Sequence, residues 1–185
     1  MIRVIAFVAA FLCAAPALAQ TLPAGLDPQN TILLDTKHGR IVIKLRTDVA
    51  PKHAERIKQL ARDGFYDNAP FHRVIDGFMA QTGDGQRGDG TGKSSYPNIQ
   101  AEFSNVPFER GTVGMARSRD PNSANAQFFI MFAPAPHLNG QYTVIGEVAS
   151  GMRAVDRLKK GSESQNGSVS NPDRIVKMQV AADAK

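Results

Sequence analysis

The chain has 185 residues, 42% of them hydrophobic and 21% charged, with 22 Lys and Arg against 17 Asp and Glu for a formal charge of +5. That length supports one domain with a real hydrophobic core, and its single cysteine, Cys13, excludes a disulfide framework. The basic residues are scattered rather than gathered into a block, so the excess charge reads as a solvated surface and no nucleic-acid partner is expected.

At the N-terminus one cation, Arg3, precedes an apolar run from Val4 to about Ala15, and Ala17-Leu18-Ala19 places small residues before Gln20. This is the pattern of a cleaved signal peptide over residues 1–19. The run is shorter than the ~20 residues a spanning helix needs, so no stable membrane anchor is expected. Cleavage as a lipoprotein at Cys13 is disfavoured by the bulky Leu12 before it. The mature protein is therefore expected in the periplasm or secreted. Cleavage removes Arg3, one of the 22 basic side chains, and none of the 17 acidic ones, which lowers the charge from +5 to +4. It also removes the only thiol, so an oxidising compartment poses no hazard. Residues 20–30 read as a flexible leader and 31–182 as the folded domain.

Within the domain, Thr31 to Thr36 and Arg40 to Arg46 are rich in β-branched residues and are separated by Lys37-His38-Gly39, a hairpin signature. The period then changes: Ala54, Ile57, Leu60 and Ala61 fall on one helical face, with Pro51 suited to the first turn and Gly64 to the C-terminal cap. Further strands are predicted at Phe71 to Ile75, Gly77 to Thr82, Gly111 to Ala116, Ala126 to Phe132, Tyr142 to Val148 and Ile175 to Val180. A second helix is predicted over Met152 to Lys159, and residues 161–173 read as a polar loop. Many strands with two helices argue for a closed antiparallel β-barrel capped by helices, because closure removes exposed edges. Periodicity alone does not choose a barrel over a sandwich. No long apolar exposed run calls for a partner chain, so a monomer is expected.

Several motifs carry less chemistry than they suggest. Gly83-Asp84-Gly85-Gln86-Arg87-Gly88 matches G-x-G-x-x-G, but no helix pattern follows to supply a phosphate-binding N-terminus. Asp84 and Asp89 lack the ligand spacing of a calcium loop. His38, His53, His72 and His137 are far apart and have no Cys or His-x-Glu partners, so no metal and no cofactor is expected. Nothing such as G-x-S-x-G supports a nucleophilic serine.

Phe71-His72-Arg73-Val74-Ile75-Asp76-Gly77-Phe78-Met79-Ala80-Gln81 sets one cation among apolar residues. On a strand Phe71, Arg73 and Ile75 share one face, and further on Met79 shares its direction with Gln81 while Phe78 points the other way. Pattern alone leaves two readings open: Arg73 as an ordinary surface ion-pair partner beside core residues Phe78, Met79 and Phe129, or Arg73 as the polar member of an apolar binding surface.

That stretch, together with Gly114-Met115-Ala116-Arg117, Asn122-Ser123-Ala124-Asn125-Ala126-Gln127-Phe128-Phe129-Ile130 and His137-Leu138-Asn139-Gly140, resembles the cyclophilin family of peptidyl-prolyl cis-trans isomerases, in order from about Thr31 to Val180. The resemblance implies an eight-stranded barrel capped by two α-helices and a cofactor-free isomerase acting on proline-containing polypeptides. It implies Arg73 as the catalytic residue and Phe78, Met79, Phe129 and Leu138 as the proline pocket. Gln81, with Gln127 nearby, would orient Arg73, and the backbone of Arg117 beside Ala116 would hydrogen-bond the peptide. Gly90 would allow close approach of the residue before proline, while His72 and Tyr142 would line the rim; His72 reads equally as a solvent-facing strand residue. Two departures stand out. His137 lies where many members carry Trp, which makes the rim smaller and more polar, and Arg117 lies where well-known members carry Asn.

Overall fold

In the computed structural model, which describes residues 22–184, strands β1 (Thr31–Thr36) and β2 (Gly39–Leu45) form the predicted hairpin, in register from Thr31 opposite Lys44 to Thr36 opposite Gly39. The expected signal peptide, residues 1–19, lies outside the described residues. The remaining strands are β3 (Arg73–Ile75), β4 (Met79–Thr82), β5 (Thr112–Met115), β6 (Phe128–Met131), β7 (Val144–Ser150) and β8 (Ile175–Val180), in one antiparallel sheet of order β3-β4-β6-β5-β7-β2-β1-β8. The expected leader ends in a 3₁₀ turn, Pro28–Asn30, capped by the Asp27 side chain.

Alternation along each strand decides what faces inward. Ile32, Leu34, Ile41, Ile43, Val113, Met115, Phe128, Ile130, Ile145 and Met178 fill the inside of the curled sheet. The residual void there is about 10 Å³, bounded by Ile32, Phe128 and Met178 among others, which leaves no room for an enclosed ligand. Among the described residues no helix is long and apolar enough to cross a membrane.

The sheet is less completely closed than a barrel. Its edge strands β3 and β8 do not pair as strands; the seam is carried by the segment before β3, where Phe71 N donates to Asp173 O (2.8 Å), Asn68 N to Ile175 O (2.8 Å) and Ile175 N to Ala69 O (2.9 Å). Pro70, which bridges to Arg174 at this seam, has no N–H to extend a ladder. The same irregularity corrects the expected strand over Phe71 to Ile75. Phe71 is buried in the inner core, whereas Arg73 is on the outer side, because regular alternation starts only at Arg73.

Helix α1 (Pro51–Arg62) buries His53, Ala54, Ile57, Leu60 and Ala61. Ala50 at its N-cap has no side-chain acceptor, and Glu102 supplies one from a distant loop, accepting from Lys52 N (3.1 Å) and His53 N (3.0 Å). Helix α2 (Met152–Asp156) ends three residues before the expected Lys159, whose N–H instead donates to Asp173 (2.9 Å).

His53 is fully buried, with Nδ1 donating to Glu102 Oε2 at 2.6 Å and Nε2 without a partner among the described residues. Burial lowers its pKa, and Glu102 only partly opposes this; burial lowers that of His72 as well. Both imidazoles bind a proton less readily when folded than in the unfolded chain, where the value is ~6.5. Their contribution to stability is therefore full above ~6.5 and lost as pH falls through the folded values. Melting temperature should decline between pH 7 and 5, and His53→Gln should flatten that decline; an unchanged slope in the variant would contradict the assignment.

Candidate functional site

Cross-strand register places the candidate residues side by side. Arg73 on β3 pairs with Gln81 on β4, Gln81 with Phe129 on β6, and Phe129 with Gly114 on β5, forming one row on the outside of the sheet. Met79 opposite Met131 forms the adjacent row. Met79, Phe108, Phe129, Met131, Ala135, Leu138 and Val144 build a second apolar cluster there, with Phe78, Ala116 and Tyr142 packed against it. Gly114 is the reason Phe129 can lie across the sheet: a Cβ at that position would stand 2.5 Å from Phe129 Cζ and 2.6 Å from Phe108 Cε1.

This cluster floors a cavity of about 190 Å³ lined by Arg73, Phe78, Met79, Gln81, Ala116, Arg117, Phe129, Leu138 and Tyr142. Phe129 is the floor, stacked on Phe108 (centroids 5.7 Å apart) and met edge-on by Tyr142 (5.7 Å). Phe78 precedes β4, in the turn where its N–H donates to Ile75 O (3.1 Å). The turn frees it from strand alternation, so Phe78 and Met79 line the same cavity although neighbours on a strand point opposite ways.

Arg73 stands at one wall. Its Nη1 donates to Gln81 Oε1 (3.3 Å), Gln81 Nε2 to Gln127 Oε1 (3.0 Å), and Gln127 Nε2 to the carbonyls of Gly90 and Gly92 (2.9 Å each). Among the described residues Arg73 has no acidic partner, which removes the reading of it as a surface ion pair. Burial lowers its pKa, yet a guanidinium remains a cation in water. An unneutralised cation over an apolar cavity can stabilise negative charge or an electron lone pair.

A second cavity of about 210 Å³ adjoins the first and shares Gln81, Ala116 and Arg117 with it; Gly90 to Lys93, Ser118, Ser123 and Asn125 to Gln127 complete its lining. Between the two, Ala116 N donates to Gln127 O (2.9 Å), while the N–H and C=O of Arg117 have no partner among the described residues. They form a short open edge onto which an extended chain can hydrogen-bond.

Two predicted site residues, His72 and His137, line neither cavity. The His72 ring lies under the 88–92 loop, 2.9 Å from where a Cβ on Gly90 would be. The missing Cβ at Gly90 thus admits the His72 imidazole, while Gly90 itself lines the second cavity. Arg117 lines both cavities, and its side chain folds back. It lies 4.4 Å from the Tyr142 ring centroid and donates through Nη2 to Gln141 O (2.8 Å) and through Nη1 to Ser118 O (2.9 Å). His137 is exposed outside the cavity and stacks on Phe78 (5.7 Å, 29°), so it backs the pocket wall without lining it.

Sequence reasoning missed Phe108, which supports Phe129 from below, and Asn166, whose carbonyl and side chain both touch Arg73. It also missed Asp84, buried at 1% exposure, which receives the N–H groups of Gln86, Arg87, Gly90 and Gly92 and so closes the loop that bears Gly90. A signal for Asp84 was present: an acid set among glycines is a loop-closing acceptor as readily as a metal ligand.

A curled antiparallel sheet with a filled interior, whose outer face joins an apolar cavity, an open backbone edge and a cation, has the parts needed to hold an extended peptide on its surface. The chain belongs to the family described as cyclophilin type peptidyl-prolyl cis-trans isomerase/CLD, whose profile matches residues 31–180. It is 56% identical to a probable peptidyl-prolyl cis-trans isomerase of Brucella suis, over 96% of this chain and 95% of that one. It is 40% identical to a peptidyl-prolyl cis-trans isomerase-like 1 protein of Aspergillus fumigatus, over 69% of this chain and 80% of that one. Among solved structures, a cyclophilin from Hirschia baltica matches with a TM-score of 0.78 at 26% identity, covering 86% of this chain and 77% of that one. A Cryptosporidium parvum cyclophilin-type isomerase crystallised in the presence of the dipeptide Ala-Pro matches with a TM-score of 0.74 at 26% identity, covering 81% and 98%.

Proposed function

We propose that this isomerase accelerates rotation about X-Pro bonds of exported polypeptides during their folding, as a monomer, by non-covalent stabilisation of the twisted amide. Rotation is opposed by ~18–20 kcal/mol of amide resonance, and X-Pro bonds are the ones with an accessible cis form. At a barrier of ~19 kcal/mol the uncatalysed rate is on the order of 0.1 per second. No covalent bond is made or broken, so no nucleophile is required.

The proline ring enters the cavity floored by Phe129 and walled by Phe78, Met79 and Leu138, which fixes one side of the rotating bond. The chain before proline lies along Ala116 and the free N–H and C=O of Arg117. As the amide twists, the proline nitrogen loses conjugation and regains a lone pair, and a guanidinium N–H of Arg73 donates to it. That bond exists only in the twisted state, which is the condition for catalysis by differential binding. Gln81 and Gln127 hold the guanidinium and the Gly90–Gly92 carbonyls in one network. The observation that carries the reading is Arg73 itself, a cation without an acidic partner among the described residues, on the wall of an apolar cavity.

Comparing turnover of a proline peptide by the wild type and by Arg73→Ala tests it. A chaperone or scaffold that only binds proline segments would show equal rates in both. The exported setting rests on residues 1–19. Expressed with its full N-terminus in a bacterium with two membranes, the mature protein should be recovered from the periplasm or medium beginning at Gln20; a cytosolic product retaining Met1 would contradict export.

A further inference from the structure

The polar loop after α2 is laid against the outer edge of β3. Val74 N donates to Gly167 O (2.8 Å), Gly161 N to Val74 O (2.8 Å) and Val169 N to His72 O (3.1 Å), so the loop covers an edge that would otherwise be open. Its apex brings Asn166 onto Arg73. Arg73 Nε donates to Asn166 O (3.0 Å) and Nη2 to Asn166 Oδ1 (2.9 Å), a two-point clasp on one side of the guanidinium. The Gln81 contact from Nη1 engages a third N–H. A guanidinium has five N–H groups in a fixed plane, so fixing three of them orients the other two, one on Nη2 and one on Nη1 that faces the weak acceptor Met79 Sδ at 3.9 Å.

We propose that Asn166 is a positioning residue for the isomerase reaction: it clasps Arg73 so that the remaining N–H groups meet the proline nitrogen in the twisted state. This rests on the reading of Arg73 as the electrostatic catalyst. A long, rotamer-rich side chain held only by Gln81 would sample orientations in which no N–H reaches the nitrogen. Asn166 touches Arg73 through acceptors alone, so its contribution passes through that side chain. The loop's own geometry sets the clasp: Asn166 lies in the left-handed region (φ 53°, ψ 37°), its N–H bonded to Glu163 O at 3.2 Å. In that conformation its carbonyl and its side chain reach the same partner.

Glycine occupies the left-handed region without strain, so Asn166→Gly removes Oδ1 and leaves the backbone carbonyl in place. The expected result is a loss in kcat of roughly 5- to 10-fold, the scale of one typical hydrogen bond, this one being exposed, with KM changed less than about twofold. In an Arg73→Ala background the same substitution should change kcat/KM by less than about 1.5-fold, because its target is gone. Asn166→Asp keeps an acceptor at the Oδ1 position but gives Arg73 an acidic partner, so it should lower kcat as well. Wild-type kcat in Asn166→Gly would overturn the inference, as would an equal loss in the Arg73→Ala background. If Arg73→Ala alone turned over at the wild-type rate, the Arg73 mechanism itself would fail. If Arg73→Ala is slow and Asn166→Gly is not, only the role of Asn166 fails.

Discussion

Arg73→Ala lowers kcat/KM for a proline peptide by roughly 10²–10³-fold, the loss seen when one preorganised donor to a developing charge is removed. The ground-state peptide loses much less, because its affinity comes from burying the ring against Phe129, Met79 and Leu138 and from the open edge at Arg117. Affinity measured by titration should therefore change less than about threefold while turnover collapses, the signature of an interaction made only in the transition state. Arg73→Lys should recover little of the rate. An ammonium is a point charge without the planar fork that contacts Asn166 and Gln81 together. Folding should be nearly unaffected, since Arg73 forms no ion pair among the described residues and sits at the margin of the outer cluster. Turnover of Arg73→Ala within threefold of wild type, measured by protease-coupled or exchange kinetics, would remove Arg73 from the mechanism.

The parts of this site that were legible in the sequence are those with a local cause. The β1–β2 hairpin follows from alternation around Lys37-His38-Gly39, α1 from one apolar face bounded by Pro51 and Gly64, and the shared direction of Met79 and Gln81 from strand parity. Where a constraint comes from elsewhere in the chain, the sequence is silent. Parity fails between Phe71 and Arg73 because the seam with residues 173–175 sets the path there. Arg73 meets Gln81, Phe129 and Gly114 through the order β3-β4-β6-β5, which local periodicity does not encode; the resemblance of four ordered blocks to one family carried that information. Residues 161–173 have the composition of a solvated loop and are one in part. Their work on β3 and Arg73 is done by backbone groups and by Asn166, which composition does not distinguish from ordinary turn residues.

Asp84→Ala should be the most damaging single change outside the inner core, in stability and in binding together. The Asp84 carboxylate takes Gln86 N (3.2 Å) and Arg87 N (2.8 Å) on Oδ1 and Gly90 N (2.9 Å) and Gly92 N (2.9 Å) on Oδ2. Burial alone pushes its pKa up, but the N–H groups of Arg87, Gly92 and Gly90 outweigh burial and bring it down to about 2. Alanine leaves these donors without their acceptor in a closed loop, at a cost of about 3 kcal/mol or more. For a domain of this size that corresponds to a fall in melting temperature of roughly 6–12 °C. The same loop presents the Gly90 and Gly92 carbonyls to Gln127, so its loosening releases Gln127 and, through Gln81, one hold on Arg73. KM should rise several-fold with a smaller effect on kcat, the reverse of the split expected for Asn166→Gly. The acid limb carries the same signature. A carboxyl depressed to about 2 contributes stability that is full above its unfolded value of ~3.9 and is lost as pH falls through the folded one. Asp84→Ala should therefore flatten the stability profile between about pH 4 and pH 2 relative to wild type. Asp84→Asn keeps one acceptor oxygen but turns an NH₂ toward two of the four donors, so it should share most of the loss. A melting temperature within 2 °C of wild type for Asp84→Ala would show that the loop is held by other contacts, and would detach the Gly90 wall from the network that ends on Arg73.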